Sequence, residues 1–272
     1  MGAKLKIKVQ MQEKVAKNDY FSGRKNTDED MENTTYGICH LSAIALRKEA
    51  RHGSEMVSQL LYNETYTVLD KAPEWLLVQT HFDHYEGWIQ AKQFRKIGEK
   101  DLYAAKNKPI YLTNQPVTEI DGKWLSLGTP LLEPHPDAAE MPTEFDPKLM
   151  MGYAKKLLNT PYLWGGRTVM GIDCSGMVQV CARLSGLLLP RDASQQMECG
   201  ELVYFLQETQ PGDLAFFGED CGPISHVGII MGNDRIIHAS GQVRIDFLDQ
   251  TGIFNKERNE HTHLLQAVKR MK

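Results

Sequence analysis

The chain has 272 residues, of which 42% are hydrophobic and 24% charged, and a formal net charge of −4 at pH 7. This composition is typical of a folded globular protein, and the small negative charge argues against nucleic acid as a partner. No run reaches the roughly 18 consecutive apolar residues of a membrane span, so we expect no membrane-spanning segment.

Residues 1–35 are charged and polar, and we predict an N-terminal arm there. This end has no apolar stretch of signal-peptide length. From the chain as given we therefore expect a cytoplasmic protein, or a periplasmic one if a leader has been removed. We also expect a monomer.

The next segment is rich in predicted strands. Apolar and polar residues alternate over 64–70 and 75–80, and a third short strand is predicted over 85–90. Short strands at this spacing favour a small β-barrel over residues 36–97. Residues 98–134 predict a second, short or degenerate barrel, and the proline-rich, acidic stretch 135–146 predicts a linker.

The region 147–272 is predicted to be an α+β domain. Apolar residues at helical spacing predict one helix near 145–159 and a second that begins at Cys174 and stops near Gly186. Apolar strands are then predicted at 213–218, 226–232, 235–240 and 264–270. A helix followed by an antiparallel meander gives this fold class.

Cys174 is the candidate nucleophile. The chain has five cysteines without any C-x-x-C pair, which argues against a disulfide framework and a structural zinc site. Cys174 follows a glycine-bearing loop and opens a predicted helix, where free N–H groups and the helix dipole are expected to lower the thiol pKa. Gly171 and Gly176 should allow close backbone approach on either side.

Two histidines are candidates for the base that works with this thiol. His226 begins one predicted strand and His238 ends the next. A hairpin turn at 232–234 would place Ile229 or Ile230 opposite Ile236 or Ile237, with both histidines toward the same end of the sheet. A single cysteine or strand histidine is more often a core residue. A cysteine at a loop–helix junction, glycines on both sides of it and two histidines on neighbouring strands together nevertheless favour a Cys–His–His relay.

Other histidines predict no further site. The H-x-x-H spacing at 81–84 falls in a predicted turn with no third ligand, and His261 and His263 are predicted to lie in a loop before the last strand. We expect neither a metal nor an organic cofactor.

Six short strings between residues 162 and 240 resemble the NlpC-type cell-wall cysteine peptidases, a papain-like family. They are YLWGG (162–166), DCSGMV (173–178), LPRDASQQ (189–196), PGDLAFF (211–217), SHVGIIMG (225–232) and IIHAS (236–240). The resemblance implies Cys174 as nucleophile, His226 as general base and His238 as the orienting residue. The strings SEMVSQLLYNETYTVL, EWLLVQT and YEGWI resemble the bacterial SH3-like barrels of cell-wall enzymes.

Together these resemblances imply an endopeptidase for murein tripeptides and tetrapeptides. It would cut the bond between γ-D-glutamate and a diamino acid, lysine or diaminopimelate, and release L-Ala-D-Glu in cell-wall peptide recycling. Asp173 matches an acid that holds the free L-Ala ammonium, with Glu55 and Tyr85 from the barrel as further candidates and Glu64 in reserve.

Three hydroxyl side chains complete the predicted site. Tyr162 is expected over the cleft, helping the Cys174 N–H to bind the oxyanion, and Ser175 and Ser194 are candidates for the glutamyl carboxylate. Two alternative functions remain open at this point. One is a wall-remodelling hydrolase acting on intact peptidoglycan stems, and the other is a non-catalytic wall-binding module.

Overall fold

The computed structural model describes residues 34–107, 110–219 and 222–272. The predicted arm over 1–35 lies almost entirely outside these residues, as does Cys221. The other four cysteines are free thiols. None of the helices in the described ranges is long and apolar enough to cross a membrane.

The first domain is a seven-stranded β-sheet with strand order β3-β2-β6-β5-β4-β1-β7. Alternating burial along its strands places Leu46, Leu60, Val78 and Ile89 in a common core. This arrangement confirms the predicted SH3-like barrel. Its strands are β1 (Thr35–Ile38), β2 (Ala43–Arg47), β3 (Met56–Leu61), β4 (Thr65–Ala72), β5 (Trp75–Thr80), β6 (Glu86–Gln90) and β7 (Lys96–Ile97).

The middle segment differs from the prediction in two ways. It begins with a helix, α1 (Glu99–Asn107), whose first turn holds the acidic residues Glu99 and Asp101, which are stabilising at a helix N-terminus. The proposed linker 135–146 is not only a linker, since it supplies a strand to a three-stranded sheet of order β11-β8-β12. The strands here are β8 (Tyr111–Thr113), β9 (Val117–Ile120), β10 (Lys123–Ser126), β11 (Pro130–Leu131) and β12 (Ala138–Glu140).

Three helices open the second domain. The predicted first helix is α2 (Pro147–Lys156), which starts where the Asp146 carboxylate accepts a hydrogen bond from the Lys148 N–H at 2.8 Å. The predicted second helix is α3 (Cys174–Leu184), and Gly186 follows it at φ +88°, a conformation that favours glycine. A short helix, α4 (Ala193–Met197), was not predicted.

A seven-stranded antiparallel sheet of order β15-β21-β16-β17-β18-β19-β20 completes this α+β domain. The strand β20 also pairs with β21, which closes the sheet on itself. One face packs on α3 through Phe216, Val227 and Ile229. The strands of this sheet are β15 (Glu201–Val203), β16 (Leu214–Gly218), β17 (Ile224–Gly232), β18 (Arg235–Ser240), β19 (Gln242–Leu248), β20 (Gly252–Asn255) and β21 (Glu260–Arg270). A separate two-stranded sheet is formed by β13 (Arg167–Thr168) and β14 (Gly171–Ile172).

A buried ion cluster joins the barrel to the second domain. The Glu64 carboxylate receives hydrogen bonds from Arg167 at 2.8 and 3.1 Å and from Arg183 at 2.8 Å. Burial alone would raise the pKa of Glu64, but the two guanidinium groups outweigh it and hold the pKa below its usual value. The Arg183 guanidinium also lies 4.0 Å from the ring centre of Phe82, in the barrel.

Candidate active site at the domain boundary

Cys174 is the first residue of α3, as the sequence predicts. Asp173 is the helix N-cap, and its carboxylate accepts a hydrogen bond from the Gly176 N–H at 2.7 Å. A Cβ atom at Gly176 would lie 2.3 Å from the Gly166 carbonyl oxygen. The predicted close approach of backbone beside Cys174 is therefore present, and it requires glycine.

The thiol of Cys174 is buried, with only 5% of the residue exposed. Burial and the Asp173 carboxylate raise its pKa to about 11, against the opposing effect of the N–H groups of Val227 and Ser175. The expectation that the helix start lowers this pKa is wrong, because loss of hydration outweighs the N–H groups and the dipole. Cys174 is therefore a neutral thiol in this state.

The loop before Cys174 reaches across to the barrel. Gly165 has φ +75°, and a Cβ atom there would lie 2.3 Å from the Met56 carbonyl oxygen in β3. From the same loop, the Trp164 indole N–H donates to Glu55 Oε1 at 2.7 Å. Tyr162 is half-buried, and the pKa of its hydroxyl is raised by burial and then by its proximity to Cys174. This agrees with its predicted position over the cleft.

The two histidines lie together as predicted. Ile229 pairs with Ile237 and Ile230 with Ile236. The hairpin turn has Asn233 and Asp234 at φ 52° and 55°, which fits a type I′ turn. His226 Nε2 is 2.8 Å from His238 Nδ1, and both residues are buried. The Cys174 sulfur faces the N–H of Val227, the residue after His226.

Three residues beside these histidines were missed. His238 Nε2 lies 3.0 Å from Asp246 Oδ2, and Arg244 binds both oxygens of Asp246 at 2.7 and 3.0 Å. His263 stacks on His226, with ring centres 4.1 Å apart. The prediction of a loop at 261–263 is wrong, because these residues belong to β21. Residues 260–263 are all polar and show no alternation of apolar and polar side chains. Only their backbone pairing with β20 shows that they belong to the strand.

Among the residues that the structure describes, His226, His238 and His263 form a candidate group for holding a metal ion, because one ring nitrogen of each lies within 4.8 Å of the others. The lone pair of an imidazole nitrogen lies in the ring plane. Since the planes of His226 and His263 are only 28° apart, their lone pairs do not converge on one point. A metal ion would require one ring to turn. Burial, and then His238, lower the pKa of His263 to about 4.

A cleft of about 420 Å³ opens at Cys174 between the two domains. Its lining holds four carboxylates and two cationic side chains, so its formal charge is negative. The charged lining residues are Glu55, Glu86, Asp173, Asp192, Lys48 and Arg191. Such a cleft favours a ligand that carries a positive group.

Six of the predicted ligand residues line this cleft, namely Glu55, Tyr85, Tyr162, Asp173, Ser175 and Ser194. The reserve candidate Glu64 does not, because it is committed to the buried ion cluster. The Tyr85 hydroxyl donates to the two oxygens of Asp192 at 3.2 and 3.3 Å. The sequence suggests Asp192 only as the partner of Arg191 in a structural ion pair near the cleft, not as a ligand residue, and the structure pairs Arg191 with Asp173 instead.

Asp173 and Ser175 have partners inside the protein. The Asp173 carboxylate accepts hydrogen bonds from Gly165, Gly176, Ser175 and both terminal nitrogens of Arg191. Ser175 in turn accepts from Arg191 at 2.8 Å. These contacts leave Asp173 little capacity for a further donor.

Residues 159–261 match the NlpC/P60 family, and residues 46–94 match the bacterial dipeptidyl-peptidase Sh3 domain. The chain carries an NlpC/P60 domain. It is 27% identical to the gamma-D-glutamyl-L-lysine dipeptidyl-peptidase of Bacillus subtilis over 213 residues, which is 67% of this chain and 71% of that protein. It is likewise 27% identical to the Bacillus cereus protein of that name over 231 residues, covering 69% of this chain and 68% of the relative.

Solved structures support the same fold. An NlpC/P60 family protein from Bacillus cereus superposes with a TM-score of 0.73 at 21% identity, covering 86% of this chain and 99% of that one. The NlpC/P60 match includes Cys174, His226, His238 and Asp246, and the Sh3 match includes Glu55 and Tyr85. The cleft at Cys174 is therefore lined by residues from both matched segments.

Proposed function

We propose that the chain is a cysteine endopeptidase for free murein peptides. It would cut the bond between γ-D-glutamate and lysine or diaminopimelate in peptides with a free N-terminal L-Ala. The observation that carries this proposal is the acidic cleft at Cys174, which both domains line. The names of the two Bacillus relatives support the choice of bond.

The free ammonium would lie on the barrel side of the cleft. Asp192 is half-buried, and its pKa is raised mainly by burial, so a cation beside it would be stabilising. Glu55 has one oxygen on Trp164, while its second lies 3.6 Å from Lys48. With Tyr85, these two acids are more available than Asp173. An acylated amine would bring no charge and would leave them without a cation.

The proposed reaction passes through a thioester. The Cys174 thiol gives its proton to His226 as the sulfur attacks the γ-carbonyl carbon of D-glutamate. The carbonyl oxygen becomes an oxyanion, which the Cys174 N–H and the Tyr162 hydroxyl would stabilise. When the carbon–nitrogen bond breaks, His226 returns the proton to the leaving amine. Water, activated by His226, then hydrolyses the thioester to release L-Ala-D-Glu and restore the thiol.

The test uses purified protein with L-Ala-γ-D-Glu-L-Lys, the diaminopimelate analogue, the N-acetylated form of each, and intact sacculi. We expect mass spectrometry to detect L-Ala-D-Glu from the free peptides, with kcat/KM about 100-fold lower for the N-acetylated forms. The Cys174→Ala variant, checked for folding by circular dichroism, should release none.

Three outcomes would contradict the proposal. Equal rates on free and acetylated peptides would refute recognition of the amine. Release by the Cys174→Ala variant would refute the nucleophile. Faster release from sacculi than from free peptides would favour the wall-remodelling alternative.

A further inference from the structure

A row of hydrogen bonds extends from His226 away from Cys174. His226 Nε2 contacts His238 Nδ1 at 2.8 Å, and His238 Nε2 contacts Asp246 Oδ2 at 3.0 Å. Arg244, which lies opposite His238 in the β18–β19 pair, holds Asp246 through both of its oxygens. The row therefore ends in a carboxylate that is itself fixed by an ion pair.

The chemistry of these groups assigns each proton. An ionised carboxylate can only accept a hydrogen bond, so His238 must carry its proton on Nε2. The Nδ1 atom of a neutral His238 is then an acceptor, and His226 must donate from Nε2. A neutral His226 is thereby left with its lone pair on Nδ1.

The surroundings favour these charge states. Asp246 is buried at 5% exposure, yet hydrogen bonds from His238 and Arg244 outweigh burial and keep its pKa below the usual value. Burial, with His238 and His263 nearby, lowers the pKa of His226 well below its usual value. Asp246 is thus an acceptor and His226 is neutral, as the proton assignment requires.

We infer that Asp246, fixed by Arg244, is a positioning residue that sets the tautomers of His238 and His226. It makes Nδ1 of His226 the atom that takes the thiol proton, and its charge stabilises the imidazolium that then forms. This inference rests on the proposed function for the role of His226 as base, although the tautomers can be measured independently of activity.

The test compares Asp246→Ala, Asp246→Asn and Asp246→Glu with Asp249→Asn. Asp249 is a matched control because it forms the same type of pair, with His261 at 2.8 Å, outside the site. Nitrogen NMR of histidine-labelled protein reports the tautomers. In wild type we expect Nε2-protonated His226 and His238, and in Asp246→Ala a mixture of tautomers for both.

Kinetics on the free tripeptide supply the second measurement. We expect kcat to fall about 10- to 100-fold in Asp246→Ala and Asp246→Asn. KM should change less than twofold, Asp246→Glu should recover part of the loss, and Asp249→Asn should match wild type. If the alanine variant fails to fold, the near-isosteric asparagine variant carries the test.

Wild-type tautomers and wild-type kcat in both Asp246→Ala and Asp246→Asn would overturn the inference, as would Nδ1-protonated His226 in wild type. A wild-type protein that cleaves no peptide but shows the expected tautomers would refute the proposed function and leave the tautomer assignment standing. The two failures are therefore distinguishable.

Discussion

At the scale of single residues, burial decides the charge of the two groups that we propose to react, Cys174 and His226. It raises the pKa of the Cys174 thiol to about 11 and lowers the pKa of His226 well below its ordinary value. Both shifts favour the neutral forms. The resting site thus holds a neutral thiol and a neutral imidazole, and in the proposed reaction an ion pair would form only as the proton moves.

This charge state predicts a broad plateau in the pH profile. His226 can act as base only while it is unprotonated, and its lowered pKa keeps it so below the ordinary histidine value of about 6.5. We therefore expect kcat/KM on the free tripeptide to stay level from about pH 6.5 to 8 and to fall only at lower pH.

The groups that face His226 are His238, His263 and Phe217, and those that act on Cys174 include Asp173 and Arg191. Initial rates in buffers of constant ionic strength, with folding checked at each pH, would measure the profile. An acidic limb with its midpoint above pH 7 would contradict the assignment of a neutral His226.

At the scale of elements, the buried cluster of Glu64, Arg167 and Arg183 fixes the β3–β4 turn of the barrel against β13 and α3. Removing the carboxylate would leave two buried guanidinium groups without the charged acceptor of their hydrogen bonds. We therefore expect Glu64→Gln to lower the free energy of unfolding by about 3–5 kcal/mol.

Urea denaturation followed by fluorescence and circular dichroism would measure this loss. Glu119→Gln is the matched control, since Glu119 is an exposed glutamate in β9, and it should change stability by less than about 0.5 kcal/mol. A Glu64→Gln variant within 1 kcal/mol of wild type would show that the cluster contributes little to stability.

The elements that the sequence predicts are those in which apolar residues recur at the spacing of a helix or form a clear apolar strand. The helices α2 and α3 and the strands β16, β17, β18 and β21 have such a pattern, and the structure confirms them. The short elements α4, β15 and β20 lack such a pattern. The strand β12 forms because its backbone pairs with β8, a long-range contact that its sequence, Ala-Ala-Glu, does not signal.

Some residues of the site can be recognised from the sequence, and others are brought to it only by the fold. Cys174, His226 and His238 are recognisable because each belongs to an element with a strong apolar pattern, with Cys174 as the first residue of α3 and the histidines in β17 and β18. Asp246, His263 and Asp192 take their place only through contacts made across strands or between domains. Even the sign of the Cys174 pKa shift depends on burial by the surrounding fold, which the helix start alone does not indicate.

At the scale of the whole molecule, the cleft is shared between two domains. The proposed nucleophile and its base belong to the NlpC/P60 domain, while Glu55 and Tyr85 come from the barrel. Barrel residues should therefore govern which peptide binds, without altering the reactivity of the thiol.

Substitution of Glu55 tests this division. Glu55 is partly exposed, so Glu55→Gln should raise KM for the free tripeptide only about fivefold. The preference for free over N-acetylated peptide should fall by a similar factor, because the lost charge acts on the amine alone.

Glu74→Gln, an exposed barrel substitution away from the cleft, should match wild type in both measurements. The rate of Cys174 alkylation by iodoacetamide should be the same in all three proteins. A lower kcat with unchanged KM, or slower alkylation in Glu55→Gln, would place Glu55 in the chemistry instead of in substrate recognition.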